Sequence, residues 1–278
     1  MPRPQAPDVE TRRWDGGTWT KAGDRLAAEE PLQLSLGGTP LSILMRTPGH
    51  DLELALGLLW AEGVIRSLDD VAGVRISAEA GEAADRDGRV VADLVESNQV
   101  DVHLRGAPGR TLERAFLSSS ACGVCGATTV ESLALDFAVL PDGPVFEAGL
   151  LPRLVDALRE RQSVFDQTGG LHAAGLFDVA GEPLAVREDV GRHNAVDKVV
   201  GRALLEGRVP ARACVLAVSG RGGYEIVQKA VAAGIPVVAA VGAPSSLAVQ
   251  TARRFNLTLA GFVRGARFNV YSAPDRLR

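Results

Sequence analysis

The chain has 278 residues, 46% hydrophobic and 23% charged, which is enough for a full core and, at about 150 residues per domain, for two domains. Its formal net charge of −4 argues against a nucleic-acid-binding protein held by bulk positive charge, although local basic clusters can still bind an anion. No apolar run reaches the ~18 residues of a membrane span, and the polar start lacks a signal-peptide core. We therefore expect a cytoplasmic protein with neither a membrane nor a nucleic-acid partner.

The first half of the chain predicts a flexible N-terminal arm, residues 1–25, and a small α+β domain, residues 26–145. Within that domain, residues 31–36 and 41–45 flank a Gly-Gly turn and predict a β-hairpin, and residues 47–63 predict an amphipathic helix that ends at a glycine. Strand-like pieces and a short helix complete the domain, at residues 71–76, 90–94, 100–104 and 128–135. The turn signal at 140–144 indicates the domain boundary.

Residues 146–278 predict a regular α/β domain. Three apolar runs have the length of strands that are buried on both faces, and helical patterns separate them. This order indicates parallel strands joined by right-handed crossovers in an α/β layer sandwich. The predicted strands are 213–218, 235–241 and 257–263, the helices are 150–161, 195–205, 224–233 and 245–255, and a hairpin is predicted at 176–179 and 183–186.

A Cys-x-x-Cys pair, Cys122 and Cys125, lies in a loop of small residues at 118–126. Such a segment packs poorly in a core and indicates a mobile, reactive loop. Four interpretations remain open: incidental cysteines, a zinc site completed by His172 or His193, a dithiol oxidoreductase, or a sulfur-carrying thiol. No second Cys-x-x-Cys supports zinc, and the motif does not open a helix in a small βαβ unit as in a dithiol oxidoreductase. A sulfur carrier needs an accessible thiolate on a mobile loop, which this segment can supply. Cys214, in an apolar run, is expected to be buried and inert.

Two turns that follow predicted strands are candidate anion sites. Ser219-Gly220-Arg221 opens a glycine-rich turn before a helix, where free backbone N–H groups would face the carboxyl end of the sheet. The turn matches neither GxGxxG nor a Walker loop, so a plain tight turn is the alternative. A similar turn ends in Ser245 and Ser246, either of which could cap the next helix.

The segment 187–198 is rich in ionisable residues and is either a solvated helix face or part of a ligand site. Asn194 could cap the following helix, which would let Arg192 and His193 point at a ligand. A second glycine-flanked histidine, His172, follows in Thr168-Gly-Gly-Leu-His172. Ala174 stands where a zinc deaminase would carry its catalytic glutamate, and the cysteine pair precedes the histidine, which argues against hydrolytic deamination.

Several of these motifs together resemble the FdhD/NarQ family of formate dehydrogenase accessory proteins, over roughly residues 30–272. Mild departures are Gly222-Gly223-Tyr224 and Ser245. The motifs are Thr47-Pro48-Gly49, Cys122-Gly-Val-Cys125, Thr168–Ala173, Glu188–Lys198, Ser219-Gly220-Arg221 with Glu225–Val227, and Pro244–Ala248.

This resemblance implies a sulfurtransferase that takes persulfide sulfur from a cysteine desulfurase and delivers it to the molybdenum or tungsten bis-guanine-dinucleotide cofactor (bis-MGD) of formate dehydrogenase. It also implies a C-terminal three-layer α/β domain similar to the cytidine deaminase fold, without zinc chemistry and with no permanent metal. Cys122 and Cys125 carry the sulfur in this interpretation. The candidate cofactor-binding residues are Thr168, His172, Arg187, Arg192, His193, Asn194, Lys198, Ser219, Gly220, Arg221, Ser245 and Ser246.

Two other functions are kept as alternatives: a cofactor-binding chaperone with a structural metal at the cysteine pair, and a dithiol oxidoreductase. A homodimer is also left open. Replacing both cysteines separates the first alternative from sulfur transfer, because a pure chaperone would still support formate dehydrogenase.

Overall fold

The computed structural model of the chain describes residues 4–77, 98–109 and 137–278, in which the strands form three sheets. The cysteine loop at 118–126 and the elements predicted at 90–94 and 128–135 lie outside these described residues. Within the described ranges, no helix combines the length and the apolar composition needed to cross a membrane.

Most of the N-terminal arm, residues 8–25, forms a β-hairpin. Strands β1 (Asp8–Asp15) and β2 (Thr18–Arg25) pair antiparallel along their full length around a Gly16-Gly17 turn. Both glycines have positive φ, which the turn requires. The sequence hides this hairpin because both of its faces are solvent-exposed, so it shows no apolar alternation.

The four-stranded N-terminal sheet has the order β4-β3-β6-β5 and confirms the predicted hairpin and the strands predicted at 71–76 and 100–104. Strand β3 pairs antiparallel with β4 on one side and parallel with β6 on the other, and β6 pairs antiparallel with β5. The bounds are β3 Glu30–Leu36, β4 Thr39–Arg46, β5 Val71–Ser77 and β6 Gln99–Leu104, with helix α1 at Asp51–Ala61 and a 3₁₀ turn at Leu68–Asp70.

Helix α1 is buried on almost every side, although an amphipathic helix was predicted. One face packs on the four-stranded sheet, and its other face meets the C-terminal half of the protein. Only Trp60 stays partly exposed, and its indole N–H donates to Ala232 O at 2.8 Å. A helix covered from both sides needs no polar face, which explains its run of leucine and alanine.

The C-terminal sheet has six strands in the order β12-β11-β10-β9-β7-β8. Its centre, β9, β10 and β11, is parallel as predicted, and β7, β8 and β12 run antiparallel to their neighbours. The strands are β7 His172–Phe177, β8 Pro183–Asp189, β9 Val215–Val218, β10 Val237–Ala240, β11 Thr258–Arg264 and β12 Arg267–Ser272. The helices are α2 Leu150–Arg159, α3 Ser163–Thr168, α4 Arg192–Leu205, α5 Tyr224–Ala232 and α6 Ser246–Arg254.

Helices cover both faces of this sheet, which confirms the predicted three-layer arrangement. Helix α2 packs on the face that presents Val215, Ala217 and Val237. Helices α4, α5 and α6 pack on the other face, which presents Leu216 and Val218 among others. Alternate residues of each central strand therefore enter different cores, as expected for strands buried on both sides.

Some predicted boundaries were wrong. The first hairpin strand begins at His172, four residues before the predicted start at 176, because the small residues Ala173, Ala174 and Gly175 pair in β7 despite their weak strand propensity. Cys214 is buried as expected, but it lies just before β9 and not inside it. Helix α3 and strand β12 were not predicted, since the first has only 6 residues and the second is mostly exposed.

Two glycines let α1 and α4 approach very closely. A Cβ atom at Gly57 would collide with the carbonyl oxygen of Asp197, and one at Gly201 would collide with that of Glu53. Only glycine leaves room for backbone against backbone at these two positions. The contact fixes the N-terminal sheet and its helix against the C-terminal layers.

Candidate functional site

Three helices begin at one edge of the C-terminal sheet. Helices α5 and α6 follow the carboxyl ends of the parallel strands β9 and β10, and α4 follows β8, whose last residue pairs with the first residue of β7. Strand β7 is antiparallel to β9, so its first residue, His172, lies at the same edge. The N-termini of three helices thus direct their partial positive charge toward one region.

The two predicted anion turns are in direct contact at this edge. Gly242 N–H donates to Gly220 O at 2.9 Å, and Ser245 N–H donates to Gly222 O at 3.3 Å. A Cβ at Gly242 would lie only 3.0 Å from the Arg221 Cα, so the turns pack closely because that position is glycine. Ser219 secures the first turn, since its hydroxyl accepts the N–H of Ala173 at 2.8 Å.

The second turn holds the predicted cap of α6. The Ser245 hydroxyl accepts the N–H of Ala248 at 3.2 Å, which confirms Ser245 as the N-cap, and Ser246 is the first helical residue. Both serines are exposed at the edge.

His172, Arg192 and Gly220 meet at the mouth of the first turn. A Cβ placed on Gly220 would be 3.5 Å from His172 Nδ1 and 3.8 Å from Arg192 Cδ, so the glycine keeps this space open. Burial lowers the pKa of His172 below its usual value, and the nearby cations of Arg192 and Arg221 lower it further. His172 is therefore neutral at pH 7 in a positively charged surrounding.

Two cations at this edge lack an acidic partner. Among the residues that the structure describes, neither Arg192 nor Arg221 forms an ion pair of 4.0 Å or less, and Arg221 is exposed. The Nε–H of Arg192 is buried without a hydrogen-bond acceptor in the same set of residues. A buried guanidinium donor without a partner is costly. The Nε–H of Arg276 shares this lack, but at Arg192 it coincides with a second unpaired cation and with helix N-termini, which makes this edge a candidate anion site.

A second histidine lies beside them, held by a carboxylate. His193 Nδ1 is 2.7 Å from Glu225 Oε2. Burial lowers the pKa of His193, and the hydrogen bond to Glu225 opposes that shift. Carboxylate contact at Nδ1 fixes the orientation of the ring.

Beneath this pair lies a buried ion pair between Lys229 and Asp197, with a distance of 2.6 Å. Burial raises the pKa of Asp197 to about 6. Burial alone would lower the pKa of Lys229, but the carboxylates of Asp197, Glu62 and Glu225 together outweigh it and raise that pKa. The pair is charged at neutral pH and anchors α5 to α4.

Asp189 joins the N-terminal Thr47-Pro48-Gly49 motif to helix α4. Its carboxylate is 2.7 Å from the ammonium of Lys198, and it also accepts the Thr47 N–H at 3.2 Å and the Asn194 amide at 2.9 Å. Lys198 donates in addition to Thr47 O at 2.9 Å, and both side chains of the ion pair are fully buried. Lys198 therefore lies under the edge, without exposed surface.

Asn194 does not cap helix α4, contrary to the prediction. Gly191 is the N-cap, and Asn194 lies inside the first turn, where its amide donates to Met45 O at 2.8 Å as well as to Asp189. The glycine cap is explained by space, because a Cβ at Gly191 would be 2.7 Å from the Asn194 Nδ2.

The other two predicted binding residues have partners within the protein. Arg187 forms a two-pronged ion pair with Glu53 of α1, at 2.6 and 2.7 Å. Thr168 ends helix α3, where its hydroxyl donates to Val164 O at 2.8 Å. The structure thus brings His172, Arg192, His193 and the two turns together, and it places Arg187, Asn194 and Lys198 in the layer that supports them.

Sequence reasoning missed Glu53, Asp189 and Glu225 as members of this arrangement. Glu225 had a signal, since it lies one residue into the helix that follows the glycine turn. Glu53 and Asp189 had none, because their partners lie up to 142 residues away in the chain. Within the described ranges, no three His, Cys, Asp or Glu side chains come together to hold a metal ion. Cys122 and Cys125 lie outside the described residues.

Comparison with known proteins tests the resemblance seen in the sequence. The model of the FdhD/NarQ family matches residues 27–278. The chain belongs to the FdhD/NarQ family. FdhD/NarQ relatives named sulfur carrier protein FdhD, from Nocardia farcinica and Streptomyces avermitilis, are 51% and 48% identical over 92% and 95% of this chain, and the matches span 88% and 92% of those proteins.

The fold also agrees with an experimental structure. A crystal structure from Desulfotalea psychrophila, described as that of a candidate formate dehydrogenase accessory protein, matches with a TM-score of 0.76, covering 99% of this chain and all of that one. The sequences are 24% identical, so this likeness establishes the fold.

Proposed function

We propose that this protein is a sulfur carrier that serves formate dehydrogenase by delivering persulfide sulfur to its bis-MGD cofactor. The observation that carries the proposal is the identity of 48–51%, over at least 90% of the chain, with proteins named sulfur carrier protein FdhD. A sulfur carrier needs an accessible thiol, and the Cys122-Gly-Val-Cys125 loop supplies two.

Sulfur transfer proceeds in two thiol exchange steps. One thiolate of the pair attacks the terminal sulfur of a persulfide on a cysteine desulfurase; the donor's S–S bond breaks, and the donor leaves as a thiolate. The second thiolate then attacks the inner sulfur of the new persulfide, which forms a Cys122–Cys125 disulfide and expels hydrosulfide to the metal of the cofactor. The second cysteine supplies the two electrons, and a dithiol reductant afterwards restores both thiols. A relay between the two thiols is the other route.

The carboxyl edge of the C-terminal sheet is the proposed binding site for the cofactor, which is here a substrate. Each guanine dinucleotide contains a pyrophosphate, and Arg192, Arg221 and the first turn offer guanidinium and backbone N–H donors to it. Of the remaining predicted residues, we assign direct contact to His172, His193, Ser219, Gly220, Ser245 and Ser246, and support of the site to Thr168, Arg187, Asn194 and Lys198.

The cytoplasm is the proposed location, and the C-terminal layers are proposed to share the cytidine deaminase fold, with one antiparallel strand pair beside three parallel strands. The competing functions are a metal-stabilised cofactor chaperone and a dithiol oxidoreductase. Neither function requires the protein to carry a persulfide sulfur, so detecting sulfur bound to the cysteines distinguishes the sulfur carrier from both.

The experiment is intact mass spectrometry after incubation with a cysteine desulfurase and cysteine. We expect a gain of about one sulfur mass, roughly 32 Da, that reductant removes. Cys122→Ala and Cys125→Ala should identify the acceptor, since the variant that lacks it gains no mass. Binding of GDP by both variants is the control, because the nucleotide site does not use the cysteines. No gain in the wild type, together with bound zinc, would leave the chaperone as the function.

A further inference from the structure

The β1–β2 hairpin is ordered although it adds nothing to the protein core. None of its residues belongs to the three hydrophobic clusters of the described chain. Two-stranded hairpins are marginal in water on their own. This one is held by the contact of the Trp14 and Trp19 rings, 5.2 Å apart across the strands, and by hydrogen bonds at its base.

One face of the hairpin combines indole rings with cations. Residues that pair across the strands share a face, so the Trp14–Trp19 pair lies on the same face as the Arg12–Lys21 pair. The indoles are 56% and 61% exposed. Nearer the base, this face also carries Glu10 and the ion pair of Arg25 with Asp8, whose charged groups are 3.0 Å apart. The outer half therefore presents two cations and two aromatic rings without an acidic residue.

The base of the hairpin is fixed at the rim of the proposed cofactor site. Arg25 donates to the Gln167 side chain at 2.8 Å, and Ala27 packs against Gly170, whose added Cβ would lie 3.1 Å from that of Ala27. Gly170 precedes His172 by two residues. Gln5 donates to Pro48 O at 2.6 Å on the N-terminal side. A protein docked on the hairpin would thus be held beside the ligand edge.

We propose that the outer face formed by Arg12, Trp14, Trp19 and Lys21 is a docking surface for a protein partner that carries carboxylates around an apolar recess. Tryptophan and arginine are the residue types that contribute most at protein interfaces, and clustered cations select an acidic counterpart. The hairpin as a whole is balanced in charge, with four acidic and four basic residues between positions 8 and 25, which favours a local acidic surface over a uniformly anionic membrane. On the proposed function, the partner is the formate dehydrogenase that receives the cofactor.

The test compares two neighbouring arginines that point to opposite faces. Arg12→Glu reverses a charge beside the indoles, and Arg13→Glu makes the same change on the other face, where Arg13 pairs with Thr20. Binding of purified, cofactor-free formate dehydrogenase is measured by titration calorimetry at two salt concentrations. We expect Arg12→Glu to weaken binding about tenfold or more and to reduce its salt dependence. Arg13→Glu should leave the affinity within about twofold.

Folding of the hairpin is checked by the circular-dichroism couplet of the paired indoles, which should persist in both arginine variants. Trp14→Ala provides a second readout and should weaken binding as well. Equal affinity of the Arg12→Glu and Arg13→Glu proteins for the enzyme would overturn the proposal. The proposal would also be overturned if Arg12→Glu changed only self-association of the protein, or only its sedimentation with phosphatidylglycerol vesicles, and not its binding to the enzyme. Sulfur loading is measured on the same proteins. If Arg12→Glu loads sulfur normally and binds formate dehydrogenase as the wild type does, only this proposal is rejected. If the wild type takes up no sulfur, the proposed function is rejected.

Discussion

At the scale of single residues, the carboxyl edge is distinguished by cations without acidic partners around a neutral histidine. Elsewhere in the described chain, most buried charges are paired, as in Arg46–Asp51 at 2.9 Å and Lys198–Asp189 at 2.7 Å. Arg276 is the exception: it donates to the carbonyl oxygens of Asn256 and Pro141, and its Nε–H has no acceptor among the described residues. Pairing is the rule for buried charges, since an isolated one is strongly unfavourable. The buried Nε–H of Arg192 departs from that rule at the position where an anionic substrate is proposed.

His172 should make nucleotide binding pH-dependent. Burial and then Arg192 lower its pKa in the free protein, and a pyrophosphate beside it would raise that pKa. The complex then binds a proton that the free protein lacks, so affinity for GDP rises as the pH falls through the pKa of the complex. It becomes constant below the lowered pKa of the free protein. Each unit of pKa difference gives about a tenfold gain in affinity.

The measurement is the dissociation constant of GDP by calorimetry between about pH 8 and about pH 5, for the wild type and His172→Gln. Titration of the ligand phosphate is common to both proteins and cancels in their ratio. The ratio should favour the wild type increasingly at low pH. A ratio that does not change with pH would exclude His172 from contact with the phosphates.

How far the site could be predicted differs from residue to residue. His172, Arg192 and Arg221 were found because glycines flank them next to predicted strand ends, and glycine next to a strand end is visible locally. Asn194 was predicted as a cap because its residue type favours caps, but its contacts with Asp189 and with the distant Met45 determine its position. No local pattern encodes a partner 149 residues away.

At the scale of secondary-structure elements, the contact of α1 with α4 depends on two glycines. In an isolated helix, Gly201→Ala would be favourable by about 1 kcal/mol, because alanine has the higher helix propensity. Here the new methyl group would collide with Glu53 O and push the helices apart. Helix propensity alone would make Gly201→Ala stabilising, so a loss of stability would show that the two helix backbones are in contact.

We expect Gly201→Ala to lower the free energy of unfolding by about 1–3 kcal/mol, the usual range for overpacking. Gly57→Ala should behave alike, since its methyl group would meet Asp197 O. The measurement is urea denaturation, with Gly23→Ala as the matched control: its Cβ meets nothing within 4 Å, so its stability should be unchanged or slightly higher. A stable Gly201→Ala protein would contradict the observed approach of the helices.

Elements with a strong apolar pattern were predicted well, and exposed ones were not. Strands β9 and β10 consist of valine, leucine and alanine alone, and β11 contains the run Leu259–Val263. Their parallel order followed from the helices between them. Hairpin β1–β2 and strand β12 are mostly exposed, so their sequences have little apolar alternation. These strands are held mainly by backbone hydrogen bonds, which any residue type can form, so the sequence does not predict them.

At the scale of the whole molecule, buried interactions connect the N-terminal sheet to the C-terminal layers, and losing them would destabilise both parts. One buried ion pair, Arg187–Glu53, crosses between them, and the buried Lys198–Asp189 pair of the C-terminal layers forms hydrogen bonds with the backbone of Thr47. Breaking a buried pair costs about 3–5 kcal/mol, because it leaves an uncompensated charge. Trp60 packs against the cores of both parts.

Both parts should therefore unfold in one transition. The protein has three tryptophans, so a variant with Trp14→Phe and Trp19→Phe reports on Trp60 alone. Its fluorescence and the far-ultraviolet circular dichroism should give the same midpoint in urea, as two-state unfolding requires. An Asp189→Ala protein should lose several kcal/mol and still show coincident curves. Two separated midpoints in the wild type would mean that the parts are independent.

The Asp189 contacts have a consequence for how this protein can be recombined with its relatives. Asp189 and Lys198 lie in the C-terminal layers, but the backbone groups of Thr47 complete their hydrogen bonds, and Gly57 must face Asp197. A chimera joined near residue 145 would pair one parent's Thr47 loop and α1 with another parent's α4. Such hybrids should assemble only when residues 47–61 and 187–201 come from the same parent, so the unit of exchange is this pair of distant segments and not a continuous half of the chain.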